Sequence, residues 1–419
     1  MSRSRRPPPA RKSIFDPVHG TVVLDAPALA LVNTPEFQRL WGIRQTGFAH
    51  LVFPGANHTR LEHSLGTYWV AGRMAERLGL GPHEQEVVRT AALLHDLGHG
   101  PFSHTLDQSM QEALGVDHEA LSRARILGTD PEAPGEVPRA LERYGLAPRD
   151  VARLVDPPAR GGAQPVLRAI LHSAVDADRI DYLQRDAHYT GVGHGAIDAV
   201  RLLETVRRAG ERLVFAEKGR SAVEGFLVGR SLMYQTVYYH KTVRSAELMA
   251  QAALERLPGF PESARHAFAW TDADWLVRVR EAGGQSGELV RGLSTRQLYK
   301  RVRAWSELTA GARRGWRRLL THPADRRALE DELAARVRAR AGTVLIDLGG
   351  LEPRGDPGRE WGEIGLQGAG GTTFPFREPS LWLLLATRPP SESPVNVYAA
   401  RRSVAAVERL LDRDPSLLP

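Results

Sequence analysis

The sequence predicts a mainly helical protein: a helical body of about 300 residues with a smaller α+β lobe at its C-terminal end. Three observations support this reading. Between about residues 34 and 300, apolar residues recur at helical spacing. Beyond residue 342 the apolar residues fall instead into short strand-like runs. A Gly-rich stretch from Gly349 to Gly371, with nine glycines, interrupts those runs and predicts no regular structure.

Taken in order, the opening MSRSRRPPPARK holds five basic residues, no acidic residue and three prolines, and is expected to be a disordered basic tail over 1–12. IFDPVHGTVVL reads as a turn followed by a short strand, because Pro17 and Gly20 precede the β-branched Thr21, Val22 and Val23. From Arg60 to Gly79, Leu61, Leu65, Trp69, Gly72, Ala75 and Leu78 draw one apolar stripe, and Gly79 and Gly81 end the helix. A second helix, Glu84 to Leu97, becomes apolar all round before Gly98, Gly100 and Pro101 stop it. Further helices are expected at 178–189, 221–256 and 325–340. VLIDL, TTFPF, LWLLLA and VNVYAA are the strand candidates, and SVAAVERLLDR closes the chain as a helix. The expected division is a tail over 1–12, a helical body over 13–300 and a lobe over 301–419.

Composition narrows the function. With 42% hydrophobic and 25% charged residues in 419, the chain has the composition of a soluble globular protein. It has no cysteine, which excludes disulfides, thiolate zinc sites and a thiol nucleophile, so any metal must be held by His, Asp or Glu. No apolar run reaches the roughly 18 residues of a membrane span and no apolar signal core opens the chain, so a cytoplasmic protein without a membrane partner is expected. The net charge of +7 comes with four lysines against a large excess of arginine, a bias of composition more than a binding surface. Nucleic acid is a minor alternative partner, its aromatic–basic signal confined to patches such as RRGWRR at 313–318.

Eight of the fifteen histidines fall between residues 50 and 118. His50, His58 and His83 read as structural. In HDLGHGPFSH, His95 and Asp96 stand side by side at the end of a buried helix, where a lone carboxylate is costly to bury. A divalent cation answers that cost, since imidazole and carboxylate are ligands for iron, manganese, zinc and, through oxygen, magnesium. His63 in RLEHS can supply another nitrogen, and DADRIDY offers Asp176, Asp178 or Asp181 as a second carboxylate. Spacing does not choose among the three.

Taken together, DPVHG, NTPEFQRL, FPGANHTRLEHSLGT, HDLGHGPFSH, DADRIDYLQRDAHYTG and YYHK, in this order over about residues 12–250, resemble the HD-domain phosphohydrolases. Within that family they are most similar to the deoxynucleoside triphosphate triphosphohydrolases of the SAM and HD domain type and their bacterial relatives, with no SAM-domain candidate ahead. The resemblance implies a helical HD-domain body and the cleavage of a dNTP by water into deoxynucleoside and triphosphate. It implies His63, His95, Asp96 and Asp178 as ligands of a divalent metal, with iron, manganese, zinc or nickel as candidates and magnesium accompanying the triphosphate. Asp176 would orient a ligand.

By the same resemblance His104 would protonate the leaving 5′ oxygen, supported by His118 and Asp107, with His99 near the phosphates. Arg60, Arg179 and Arg230 would meet the triphosphate, Tyr182 and Tyr238 the phosphate and sugar, and Gln45 and Asp186 the 3′ hydroxyl. The family's guanine-nucleotide site is only partly kept. Lys12 and Gln38 remain, but Asn33 and Trp41 replace its Asp and Arg, and an amide cannot accept two N–H groups as a carboxylate does. The partial match leaves GTP activation, another nucleotide activator and constitutive activity all open, and a homo-oligomer, dimer or tetramer, is implied. Two alternatives accompany this reading: an HD phosphohydrolase for another nucleotide phosphate ester, and a nucleic-acid-binding protein with a secondary metal site.

Overall fold

The computed structural model describes residues 11–156, 164–351, 363–376 and 394–419. The expected strand LWLLLA and residues 1–10 of the expected tail lie outside them. Lys12 does not belong to a free arm. It opens β1 (Lys12–Asp16), which pairs antiparallel with β2 (Gly20–Leu24), so IFD is a strand in its own right where a turn was expected. Asp16 closes the hairpin by accepting from the backbone of Val18 and His19 at 2.9 and 2.8 Å.

Helix α1 (Arg60–Arg77) starts at a capping box in which Thr59 and Glu62 satisfy each other's end of the helix. Helix α2 (Pro82–Leu94) takes Pro82 in its first turn and buries Val87, Val88, Ala91, Ala92, Leu93 and Leu94, as its apolar end predicts. The helix stops at Leu94, so His95 to Leu97, expected inside it, form the turn that follows. Helices α3 (Asp107–Leu114), α4 (His118–Leu127) and α5 (Ala177–Thr190) complete the wall around that turn. Asp176 caps α5 by accepting from Arg179 N at 2.9 Å. The close crossing of α1 and α5 depends on Gly66, where a Cβ would lie 1.8 Å from Asp181 Oδ1 and 2.4 Å from Arg185 Nη2.

The long helix expected over 221–256 is divided. Helix α6 (Arg220–Met233) runs into a π-turn over Tyr234–Tyr238, and α7 (Lys241–Glu255) begins afresh at His240, whose ring caps Thr242 N. The π-turn carries Tyr234 and Tyr238, whose rings meet edge to face 5.0 Å apart. Helix α8 (Asp272–Glu281) follows, then α9 (Pro323–Arg336) and the closing α10 (Val404–Arg413).

The body carries its own hairpin, β3 (Val206–Ala209) and β4 (Arg212–Ala216), of which the sequence gives no clear sign. The lobe is built on β5 (Lys300–Trp305), β6 (Val344–Asp347) and β9 (Val395–Ala399), in the order β5-β9-β6. Its core joins Trp316, Leu333, Val344, Ile346, Val397, Val407 and Leu411. Trp316 is 1% exposed, so RRGWRR winds round a lobe helix with its indole turned inward and offers no stacking platform. Part of the Gly-rich stretch is regular: β7 (Gly365–Gln367) pairs parallel with β4, and β8 (Thr373–Pro375) pairs with β7. These two strands extend the sheet of the body, not that of the lobe. A buried charge cluster also joins the two parts, with Arg326 on α9 bonding Glu255 of α7 at 2.7 Å and Glu330 at 2.9 Å.

Candidate metal centre and cleft

The turn after α2 brings His95 and Asp96 against His63 of α1 and Asp178 in the first turn of α5. His63 Nε2 lies 2.9 Å from Asp178 Oδ1 and 3.7 Å from Asp96 Oδ2. His95 Nε2 lies 3.3 Å from Asp96 Oδ1 and 3.8 Å from Asp178 Oδ1. His63, His95 and Asp178 each direct one ligand atom into a space no more than 4.8 Å across.

The far nitrogens of both rings explain why the near ones are bare. His63 Nδ1 donates to Asp181 Oδ2 at 2.7 Å, and His95 Nδ1 donates to Ala92 O at 2.7 Å. Each ring thus turns a lone pair on Nε2 inward, and both Nε2 atoms are buried without a hydrogen-bond partner. Two bare nitrogens facing two carboxylates call for positive charge. Burial pushes the His63 imidazole down, yet the carboxylates of Asp178, Asp181 and Asp96 outweigh it and raise the ring to about 10. Burial pushes Asp178 up, and His63 and His95 overcome it and hold the carboxylate far below its usual range. A divalent cation satisfies the same demand without a proton, so the donor set of two imidazoles and two carboxylates fits a metal. Asp176 faces elsewhere: both its oxygens accept from backbone, Ser173 N and Arg179 N, and burial raises its carboxyl.

Next to this centre stands a second cluster of His99, His104, Asp107 and His118, also compact enough to hold a cation. His99 and His118 stack at 4.0 Å, and His104 Nδ1 donates to Asp107 Oδ2 at 2.8 Å. Burial and the neighbouring positive charges push His99 well down and His118 to about 4. Desolvation in the cleft works against His104, but Asp107 prevails and raises it, so of the three rings His104 is the one whose acid form is favoured. It is also the exposed one, with 66% of its side chain open to the cleft.

The turn that presents His104 is strained. Phe102 and Ser103, both non-glycine, adopt φ of 56° and 57°. Asp272 of α8 holds it, accepting from Phe102 N at 2.7 Å and from Arg44 N at 3.1 Å. Ser103 Oγ in turn donates to Arg44 O and accepts from Arg60 Nε, both at 2.7 Å. One buried carboxylate therefore ties the His104 turn to the segment leading to Gln45.

A cleft of about 510 Å³ adjoins the centre, lined by Asp178, His104, Asp107, Arg60 and Arg179 and by Gln45, Tyr182, Asp186, Arg230 and Tyr238. A smaller cavity of about 360 Å³ shares Gln45, Arg60, His104, Asp178, Arg179 and Tyr182 with it and adds His95, Asp96, His99 and His118. All the metal, catalytic and substrate-binding residues expected from the sequence thus surround one space except His63, which stands behind Asp178 with 1% of its side chain exposed. Arg60 is committed to Asp96 at 2.6 Å. Asp186 takes Tyr238 Oη at 2.5 Å and His58 Nε2 at 2.7 Å, so His58 orients the carboxylate from behind. A larger cavity, about 1180 Å³, touches none of these residues; Arg291, Arg340, Arg401 and Arg402 line it.

Two supporting carboxylates are not identifiable as such from the sequence. Asp181, there one of three ligand candidates, supports His63 from behind and is itself gripped by Arg185 at 2.9 Å and by His19 Nε2 at 2.6 Å. An arginine four residues on, in DYLQR, is the signal that this aspartate is already paired. Asp272 leaves no comparable sign.

Two family descriptions match the chain: HD domain over residues 60–186, and HD associated region over residues 197–355. The chain thus contains an HD domain followed by an HD-associated region. The HD domain runs from α1 to α5 and carries the metal centre, and the HD-associated region supplies α6, α7 and Asp272. An uncharacterized protein of Bacillus subtilis, YwfO, is 41% identical over 58% of this chain and 55% of its own length. The SAMHD1 homologue of Dictyostelium discoideum, named a deoxynucleoside triphosphate triphosphohydrolase, is 29% identical over 70% of this chain and 60% of its own. This HD-domain chain thus spans less than two thirds of each of these relatives. A solved structure from Bacteroides thetaiotaomicron, described as a phosphohydrolase, aligns with a TM-score of 0.71 at 25% identity, covering 93% of this chain and all of that one. No helix among the described residues is long and apolar enough to cross a membrane.

Proposed function

We propose that the protein is a metal-dependent phosphohydrolase that splits deoxynucleoside triphosphates into deoxynucleoside and triphosphate. The observation that carries this reading is the pair of orphaned nitrogens, His63 Nε2 and His95 Nε2, converging with Asp96 and Asp178 at the head of a cleft rich in arginine. The named activity of the Dictyostelium relative supports it, as does the likeness to the Bacteroides phosphohydrolase.

A divalent cation held by His63, His95, Asp96 and Asp178 would supply Lewis acidity, lowering the pKa of water and offsetting phosphate charge. The chain's own groups do the rest. Arg60, Arg179 and Arg230 meet the triphosphate, whose roughly four negative charges require several cations. His104, whose acid form Asp107 favours, donates to the departing 5′ oxygen, while His99 and His118, both pushed toward the neutral form, accept hydrogen bonds. Asp186, held by Tyr238 and His58, receives the 3′ hydroxyl, and the Tyr238 ring closes the space beside C2′.

Asn33 and the exposed Trp41, 61% accessible, argue against activation by a guanine nucleotide of the family's kind, and a homo-oligomer remains part of this reading. Incubation with each dNTP and manganese, followed by product analysis, tests the function. Deoxynucleoside with tripolyphosphate is expected. Monophosphate with pyrophosphate contradicts it, and turnover of a different phosphate ester alone selects the alternative substrate class.

A further inference from the structure

A nucleotide placed with its phosphates at the metal centre and its sugar at Asp186 and Tyr238, as proposed above, leaves one part to be accommodated: the base. The same cleft is also lined by Tyr239, by Arg244 and Glu247 of α7, and by Ile346, Asp347 and Gly349 of the lobe.

Arg244 is gripped from two sides. Its Nη1 donates to Glu247 Oε2 at 2.7 Å and its Nη2 to Asp347 Oδ1 at 2.8 Å. Asp347 is in turn held by Gly349 N at 3.1 Å and is buried. A guanidinium only donates and a carboxylate only accepts, so a clamped arginine between two acids presents donors and acceptors in a fixed order. Tyr234, 5.8 Å from Tyr239 in the same region, adds aromatic faces.

We propose that this charged rack, half from α7 and half from the C-terminal lobe, reads the hydrogen-bonding edge of the nucleobase and sets which dNTP is preferred. Oxo bases present a carbonyl beside an N–H, whereas amino bases present an amine beside a bare ring nitrogen. A fixed sequence of donor and acceptor suits one class and leaves the other with an unpaired group, and unpaired polar groups are the strong means of discrimination. The lobe is then the part of the molecule that confers specificity.

Two variants reach the rack from opposite sides. Glu247→Gln substitutes a group that both donates and accepts. Gly349→Ala places a Cβ 2.9 Å from Arg244 Nη2 and 3.3 Å from Asp347 Oδ1, which turns the guanidinium from the lobe side without altering α7. The readouts are kcat/KM for the four dNTPs and, independently of turnover, their Kd for the metal-free protein by calorimetry. The wild type is expected to prefer some bases, and in both variants the spread across the four is expected to contract by about tenfold or more. A uniform fall for all four, an unchanged spread, or a wild type that treats the four within about twofold overturns the inference. A wild type that turns over no dNTP at all fails earlier and overturns the proposed function with it.

Discussion

Asp181 stands directly behind His63, accepting a hydrogen bond from its Nδ1 at 2.7 Å, while Arg185 and His19 hold the same carboxylate in place. The bond fixes which nitrogen of His63 faces the metal centre, and it increases the basicity of that nitrogen. Asp181→Asn is expected to weaken metal binding by about 10- to 100-fold. Competition with a chromophoric chelator measures this, and unchanged affinity would sink the assigned role.

The acidic environment of His63 makes the metal-free protein sensitive to pH. Its imidazole is raised from 6.5 to about 10 in the folded chain. A raised histidine stabilises the fold fully below its unfolded pKa, and the contribution is lost as pH rises through the folded value. Chelated protein should therefore lose Tm between about pH 7 and 10. Saturating divalent cation should flatten that loss and release a proton on binding, because the metal takes the place of the proton. Thermal denaturation with and without EDTA gives the comparison; parallel pH profiles contradict it.

For His104 the proton itself does the work. Asp107 raises this ring against desolvation, so its acid form is favoured to higher pH than in a free imidazole. Turnover should fall as pH rises through the raised pKa, and His104→Gln should remove that limb together with about 10²- to 10⁴-fold of kcat. A pH–rate profile in which the variant keeps the wild-type basic limb rules His104 out as the donor.

Much of the centre was legible in the sequence because its groups announce themselves locally. His95 and Asp96 are adjacent, α1 and α5 have clear caps and apolar stripes, and HDLGHG ends a helix visibly. The supports were not legible. His63 and Asp181 are 118 residues apart, and Phe102 and Asp272 are 170 apart, so their meeting depends on how helices cross. The division of the helix expected over 221–256 escaped because a π-turn breaks no propensity rule. Likewise β7 joins the sheet of the body because β4 offers a free edge far away in sequence.

Asp272 supplies a further test, since it ties the strained Phe102–Ser103 turn to Arg44. Asp272→Asn retains one acceptor but sets an amide donor against a backbone N–H. The expected result is a fall in kcat of about 10- to 100-fold with KM little changed, because a small displacement of His104 is costly in the transition state. An equal loss in stability and KM, with kcat intact, indicates a structural role only.

The charge cluster between body and lobe is open to an equilibrium measurement. Arg326 is the shared partner of Glu255 and Glu330, and all three are buried. Arg326→Leu leaves two buried carboxylates facing each other and should cost about 3–5 kcal/mol in denaturant unfolding. A change under about 1 kcal/mol would mean that the acids are solvated or protonated without penalty.

The most direct measurement of the central claim is metal content together with dNTP turnover, in the wild type and in Asp178→Ala. The account predicts one tightly held divalent ion per chain and release of tripolyphosphate in the wild type, with both lost in the variant while the circular dichroism spectrum is retained. A variant that keeps the ion, or one that loses it and still splits dNTPs at the wild-type rate, contradicts the account.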